Sequence, residues 1–382
     1  MATDAPAAVT GRIIDADSHL YMEPEVMAGI LEPIGRDWVV DMIESFKNRD
    51  GFEADRERAK DDPWAVKGLA AWGSADALGR VAVMDRMGIS RALAFPNTLG
   101  RETWLTSDAA WSVVRSYNDY SLQWTRDTGG RSIGVCQLNL TDIDRALAEA
   151  NRVIAAGARA VCVSYATPPG GTSPANPVWD PLYALLSEAN VPLLAHLGAT
   201  GQFSGGPDSP MMLPRALWDS PTLRSAFPDQ PGAEERIGPI WTIIAPIGME
   251  VVLTALVMGG VFERFAALRF GVIEFGAQWL GPIVERMDLH ADLMAKVGVG
   301  LPLKPSEYVR RNMRVTPFWS EPIDVYIDRY GLAETYMFST DYPHVEGGKD
   351  PVGKFLGRLE RFGDEALERF FVTNAELLLP SS

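Results

Sequence analysis

Arg12-Ile13-Ile14-Asp15-Ala16-Asp17, running on into Ser18-His19, is a short run that opens on β-branched residues and closes on side chains able to do chemistry. The stretch reads as a strand, and it is the first of eight. Short apolar, mostly β-branched runs recur at Arg91–Phe95, Ser132–Gln137, Arg159–Ser164, Pro192–His196, Arg269–Glu274, Met313–Thr316 and Thr335–Thr340. Helical patterns lie between them. Thr106–Arg126 carries Trp111, Val114 and Leu122 on one face, and Thr141–Ala156 opens on the capping types Thr141 and Asp142 and stops at Gly157. Pro181–Ala189, Leu280–Ala295 and Pro322–Tyr330 complete the alternation. Alternating β and α units demand a parallel sheet covered on both faces. Eight such units close into a barrel, and the chain lacks the Gly-rich turn of an open dinucleotide-binding sheet.

The expected fold class is therefore α/β, a (β/α)8 TIM-like barrel with inserted lid segments on its C-terminal face. Residues 1–11 are expected to form a disordered lead, and 12–380 a single barrel domain. Two insertions follow strands and should rise over the mouth. One, at about 37–79, is rich in charge and tryptophan (Trp38, Trp64, Trp72), and the other, at about 199–239, is rich in Gly and Pro.

Composition narrows the function. The 382 residues are 47% hydrophobic and 22% charged, an ordinary globular balance, with a formal net charge of -15. A surface this acidic repels phosphate backbones and anionic lipid heads, which excludes nucleic acid and membrane surfaces as expected partners. A small-molecule substrate is expected instead. Cys136 and Cys162 lie in apolar runs and should be buried free thiols, and the N-terminus lacks a signal peptide's basic start and apolar core, so a cytoplasmic location is expected. Ile240–Phe262 is long and apolar, but Pro246 and Glu250 near its middle favour a buried helix over a membrane span.

Four histidines are present, His19, His196, His290 and His344, so each can be judged singly. Asp17 and His19 lie two apart at a strand end, so both face the barrel interior and form a compact oxygen–nitrogen pair for a metal. Alone, such a pair also fits a turn-capping aspartate beside an incidental histidine. His196 closes the fifth strand, and the Leu197-Gly198 turn and insertion after it place it at the mouth rather than in the core. Asp341 closes the eighth strand, where it can bind a metal and accept a proton, or simply form the turn before Pro343. Glu274 closes the sixth after an apolar run and must be paired, protonated or metal-bound. His344 is expected to orient the loop around Asp341, and His290 to sit on the surface.

Taken in order, several segments resemble the amidohydrolase-related branch of the metal-dependent hydrolases, the group containing aminocarboxymuconate semialdehyde decarboxylase and resorcylate-type decarboxylases. They are Ile14-Asp15-Ala16-Asp17-Ser18-His19, Trp179-Asp180-Pro181-Leu182 leading into His196, Gly260–Phe265, Glu274–Leu280, Lys304–Tyr308 and Phe338–His344. The resemblance implies a barrel with one divalent ion at its mouth, usually zinc and sometimes manganese. The family's ligands fall on Asp17, His19, His196 and Asp341. It also implies non-oxidative decarboxylation or hydrolysis of a small aromatic or carboxylate-bearing substrate, with Asp341 as the base and Glu274 holding or protonating the substrate. The family's Glu-Pro after the first-strand histidine sits one residue late here, as Glu23-Pro24.

Many decarboxylating members carry a histidine followed by glycines where this chain has Glu274. Some relatives hold two metals, iron or manganese, and activate oxygen, and some serve as partner subunits. A carboxylate at Glu274 also fits a second ion. A dinuclear oxygenase-like protein and a non-catalytic binding module are therefore the alternative expectations, and a homodimer or a heteromer with a paralogue is the expected assembly. Arg101 and Arg215 are candidates for binding a substrate carboxylate, and Trp218 and Trp241 join the aromatic residues of the inserts.

Overall fold

The computed structural model describes residues 9–35, 37–97, 99–165, 167–197, 220–222, 239–298 and 300–379, without the side chains of residues 37, 101, 239–242, 244 and 245. Among these, eight strands run in parallel: β1 (Ile13–Leu20), β2 (Ile89–Pro96), β3 (Ser132–Gly134), β4 (Cys136–Leu138), β5 (Val161–Val163), β6 (Leu193–His196), β7 (Phe270–Ile273) and β8 (Met313–Val315). They form a sheet β1-β2-β3 and a sheet β4-β5-β6-β7-β8.

The expected strand Ser132–Gln137 accounts for both β3 and β4. Its first half pairs with β2 and its second with β5, and the backbone N–H of Val135 between them donates to Ala94 at 2.9 Å. The expected eighth strand, Thr335–Thr340, is irregular and carries one isolated bridge, Val315 with Tyr336, with a second, Ser18 with Tyr342, just beyond it. It still joins the two edges. Val315 N–H donates to Thr335 O and Met337 N–H to Val315 O on the β8 side, while Ala16 N–H donates to Phe338 O and His19 N–H to Tyr342 O on the β1 side. Two causes break its ladder: the Asp15 carboxylate takes the Thr340 N–H, and Asp341 turns left-handed at φ 53°. Hydrogen bonds thus run round the whole ring, which is a barrel.

Every residue of β1 is buried, the mark of a strand covered on both faces. The helices begin where side chains can satisfy their first N–H groups. Asp142 accepts from Arg145 N–H to open the helix Ile143–Ala155, and Gly157 follows its end at φ 97°. Ser107 caps Asp108–Asp127, whose Trp111, Val114 and Leu122 are buried as expected. Val9, in the expected disordered lead, is fully buried against the barrel core.

The insertion at 37–79 has a core of its own. Its helices Asp37–Lys47 and Phe52–Asp61 bury Val39, Ile43, Phe52 and Ala59 in a cluster shared with Val113, Tyr117 and Trp124 of the helix Asp108–Asp127. The insertion at 199–239 lies outside the described residues except for 220–222 and 239, as do Arg215 and Trp218 and the side chains of Arg101 and Trp241. No described helix is long and apolar enough to cross a membrane. The helix Pro239–Met258 departs from the buried helix expected of it. Met249, Val252, Leu253 and Leu256 are buried, but Ile243, Ile247 and Val251 are 71, 50 and 56% exposed.

Candidate metal centre

The C-terminal ends of the strands bring five of the expected residues together. β1 supplies Asp17 and His19, β6 ends on His196, Glu274 follows β7, and Asp341 follows the segment that closes the ring. All five are buried, none more than 7% exposed.

Asp17, His19, His196 and Glu274 each aim a donor atom into one space, these atoms lying within 4.8 Å of one another. His196 Nε2 lies 3.3 Å from Asp17 Oδ1 and 3.3 Å from Glu274 Oε2, and His19 Nε2 lies 3.5 Å from Asp17 Oδ1. The rings of His19 and His196 meet edge to face with centroids 5.0 Å apart. β1 and β6 are not neighbours in the ring, so this contact crosses the barrel mouth, a span short enough for side chains to fill.

Asp341 lies in an adjoining group with His19 and His344. Its Oδ1 is 3.2 Å from His19 Nε2 and 3.0 Å from His344 Nδ1, and His344 stacks on His19 with ring centroids 3.6 Å apart. Behind it, His344 Nε2 contacts Asn97 Oδ1 at 3.3 Å. One nitrogen, His19 Nε2, links the two groups, 3.5 Å from Asp17 Oδ1 and 3.2 Å from Asp341 Oδ1. Glu274 joins Asp17 and both histidines, whereas Asp341 pairs with His344, and His19 is common to both groups. His344 touches the site directly instead of merely orienting the loop beyond it. His290 is exposed, as expected.

The charges suit a cation. Burial, reinforced by the charge of His344, pushes His19 down to about 3, so at neutral pH its ring is uncharged and a nitrogen can coordinate without first losing a proton. Burial by itself raises Asp341, but the charge of His344 and the contacts of His19 and His344 outweigh it and hold the carboxyl well below the usual range. Neither ring nitrogen of His19 and neither carboxylate oxygen of Asp341 makes a well-formed hydrogen bond among the described residues. Buried polar atoms left in that state are costly unless something else binds them. Two imidazoles and several carboxylates are the donor set of zinc, manganese or iron, so the residues present fit a divalent ion.

Both Glu274 and Asp341 carry positive φ, 67° and 53°, and they are two of only four such non-glycine residues among those described. Backbone held in this region costs about 1–3 kcal/mol and persists where the surroundings impose it. At Asp341 the imposing group is Asp15. This aspartate accepts from Thr340 Oγ1 at 2.6 Å and Thr340 N–H at 2.9 Å, tying β1 to the loop that bears Asp341.

A narrow cleft of about 10 Å³, room for about one water molecule, lies beside these groups, lined by Asp17, Glu274, Asp341, Thr316, Phe318 and Trp319 among others. The insertion reaches the same rim. Gly68 N–H donates to Pro343 O, Tyr342 Oη to Trp72 O, and Lys67 Nζ to Gly348 O at 2.6 Å. Burial pushes the Lys67 ammonium down to about 8 even though Asp341 and Glu346 favour its charge. Asn97, Lys67 and Asp15 were not singled out as site residues from the sequence. Asn97 alone carried the usable signal, a polar residue just past an apolar strand.

A parallel barrel with histidines and carboxylates at its strand ends has the architecture of the barrel enzymes, whose sites form at that face. The chain belongs to the amidohydrolase family, whose model matches residues 14–380. It is similar in structure to an amidohydrolase from Mycobacterium avium subsp. paratuberculosis K-10, with 23% identity and a TM-score of 0.66 over 96% of this chain and 99% of that one. A 5-carboxyvanillate decarboxylase from Novosphingobium aromaticivorans, solved with manganese and a nitrobenzoic acid, shares 17% identity at a TM-score of 0.66, with 100% of each chain covered. The 2,6-dihydroxybenzoate decarboxylase from Rhizobium shares 17% identity at a TM-score of 0.62, over 96% of this chain and 98% of that one. No curated protein sequence matches the chain.

Proposed function

We propose that this protein is a metal-dependent, non-oxidative decarboxylase of a small aromatic carboxylic acid. The observation that carries the reading is the buried group Asp17, His19, His196 and Glu274, aimed into one space at the mouth of an amidohydrolase-family barrel. Zinc and manganese are the proposed ions. A divalent ion bound there supplies a Lewis acid that stabilises negative charge on a substrate oxygen.

The chain's own groups supply the rest. Decarboxylation breaks one C–C bond, releases CO2 and requires one proton at the carbon left behind. Asp341, ionised at neutral pH and 3.0 Å from His344, is placed to take a proton from the phenolic O–H of a hydroxylated substrate and hand it to that carbon, the phenolate regaining a proton from water as the product leaves. Phe318 and Trp319 give the cleft aromatic walls. Of the two roles expected of Glu274, holding or protonating substrate and binding metal, we favour the donor to the ion.

The test is direct. Purified protein, stripped and reloaded with Mn2+ or Zn2+, is assayed for CO2 release from a panel of hydroxylated benzoates, with metal content measured by elemental analysis. One ion per chain and metal-dependent CO2 release are expected. Failure to bind either ion would overturn the reading. Hydrolysis without CO2 release would assign the same centre to the family's C–N chemistry. Two ions per chain would favour a dinuclear centre, for which the adjoining group His19, Asp341 and His344 offers donors.

We also propose that the protein pairs with a second copy. Among the described residues, six of the ten exposed large apolar side chains, Ile243, Ile247, Val251, Leu289, Leu293 and Val297, lie on or just beyond two helices joined by the Arg286–Glu250 ion pair. Cys136 and Cys162, free and buried, suit a cytoplasmic setting.

A further inference from the structure

Glu321 is a glutamate only 8% exposed, in the loop between β8 and the helix Ile323–Tyr330. Its two carboxylate oxygens collect backbone N–H groups from two different loops. Ala277 N–H donates at 3.0 and 3.1 Å and Gln278 N–H at 2.9 Å, both from the turn after β7, while Phe318 N–H donates at 2.7 Å from the loop after β8. The first of these loops begins with left-handed Glu274 and contains left-handed Gly276, at φ 67° and 66°. The second walls the cleft with Thr316, Phe318 and Trp319. Thr316 Oγ1 accepts from Glu274 N–H at 2.9 Å, which joins the two loops a second time, and Trp279 Nε1 donates to Gly276 O within the first loop.

We propose that Glu321 is the positioning residue of the centre: by clasping Ala277, Gln278 and Phe318 it sets where Glu274 presents its carboxylate and where the cleft's aromatic wall stands. The inference rests on the reading of Glu274 as a metal donor. Three N–H groups converging on one carboxylate hold a turn that the backbone alone disfavours, because a glutamate in the left-handed region is strained. An acceptor side chain is required here, since three backbone N–H groups and, at 3.5 Å, the Tyr326 hydroxyl all donate to it. Packing gives a second reason. A Cβ at Gly276 would stand 3.1 Å from Glu321 Oε2, so the turn lies directly on the carboxylate. Burial lifts Glu321 to about 7 despite its four donors, Phe318, Ala277, Gln278 and Tyr326. A buried carboxylate kept against that cost is consistent with service to a neighbouring site.

The test uses full-length protein, Mn2+ as the probe, and the variants Glu321→Gln, Glu274→Gln and the double variant. Glu321→Gln, which turns an N–H2 toward the donors, should weaken Mn2+ binding about tenfold. The double variant should bind no more weakly than Glu274→Gln alone, since Glu321 acts through Glu274. Additive losses, or unchanged affinity in Glu321→Gln, would overturn the proposal. Amide hydrogen exchange gives a readout independent of metal. Exchange should quicken at least tenfold at residues 274–278 while Phe270–Ile273 stay protected; no change, or loss across β7 as well, counts against the inference. If Glu321→Gln does not fold, Glu321→Asp, which keeps the charge and retracts it, should show the same pattern more weakly, and wild-type behaviour there would overturn it. Wild-type protein that binds no Mn2+ but shows the exchange pattern would sink the metal reading and leave the positioning of the loop standing.

Discussion

At the scale of single residues, the centre depends on carboxylates held in backbone conformations that they resist. Asp341 is left-handed, buried, and kept ionised chiefly by His344, with the contact to His19 helping to outweigh its desolvation. Asparagine tolerates positive φ about as well as aspartate does, so Asp341→Asn separates chemistry from folding. The variant should melt within a few degrees of wild type while kcat falls roughly 10²–10⁴-fold, the usual range for losing a proton-transfer group. Calorimetry and steady-state assays of the metal-loaded protein check both halves, and an active variant would remove Asp341 from the proton path. His344 teaches a related lesson. The sequence put it three residues past Asp341, but only its stacking on His19 shows that it belongs to the site.

At the scale of elements, acidic side chains join loops that the ladders do not. Asp15 ties β1 to Thr340, and Glu321 ties the turn after β7 to the loop after β8. Glu321 carries a pH signature. Its pKa in the folded chain, about 7, lies above the ordinary 4.5, so the folded state holds a proton that the unfolded state has already released. Its contribution is therefore complete below about pH 4.5 and is lost as pH rises through about 7. Glu321→Gln lacks this titration. Urea unfolding at pH 5 and pH 8 should show the variant gaining on wild type by on the order of 2 kcal/mol as pH rises. A gap that stays constant would mean that Glu321 does not titrate in this window. The elements also show where local pattern runs out. Helices with clear caps fell within two residues of their expected ends, but Thr335–Thr340 reads as a strand and is not a regular one, because Asp15 intercepts one of its N–H groups.

At the scale of the whole molecule, the exposed apolar side chains are concentrated. Ile247 and Val251 flank Glu250, and Leu289 is one turn from Arg286, so the ion pair between these two residues lies within a single apolar face. A patch of this kind marks an interaction site. Paired about a two-fold axis, it would meet itself, and a stable dimer needs about 800 Å² from each partner. Light scattering should therefore give twice the chain mass, falling to a single chain in Ile247→Glu/Leu289→Glu with metal content unchanged. A monomeric wild type would overturn the pairing.

The alternation of apolar runs with helical patterns was enough to determine a parallel α/β barrel, because strand and helix periodicities are local. It also determined which polar residues stand at strand ends, since each follows directly on a buried run: Asp17, His19, His196, Glu274 and Asp341 were all legible in this way. Which of them share a space was decided only in three dimensions. Glu274 joins Asp17 and the two histidines, while Asp341 turns to His344, because left-handed turns aim both carboxylates and the width of the ring lets β1 reach β6. Glu321 could not have been found from the sequence, since its shortest contacts are from backbone N–H groups more than forty residues away on one side and three on the other, and backbone donors leave no trace in residue identity.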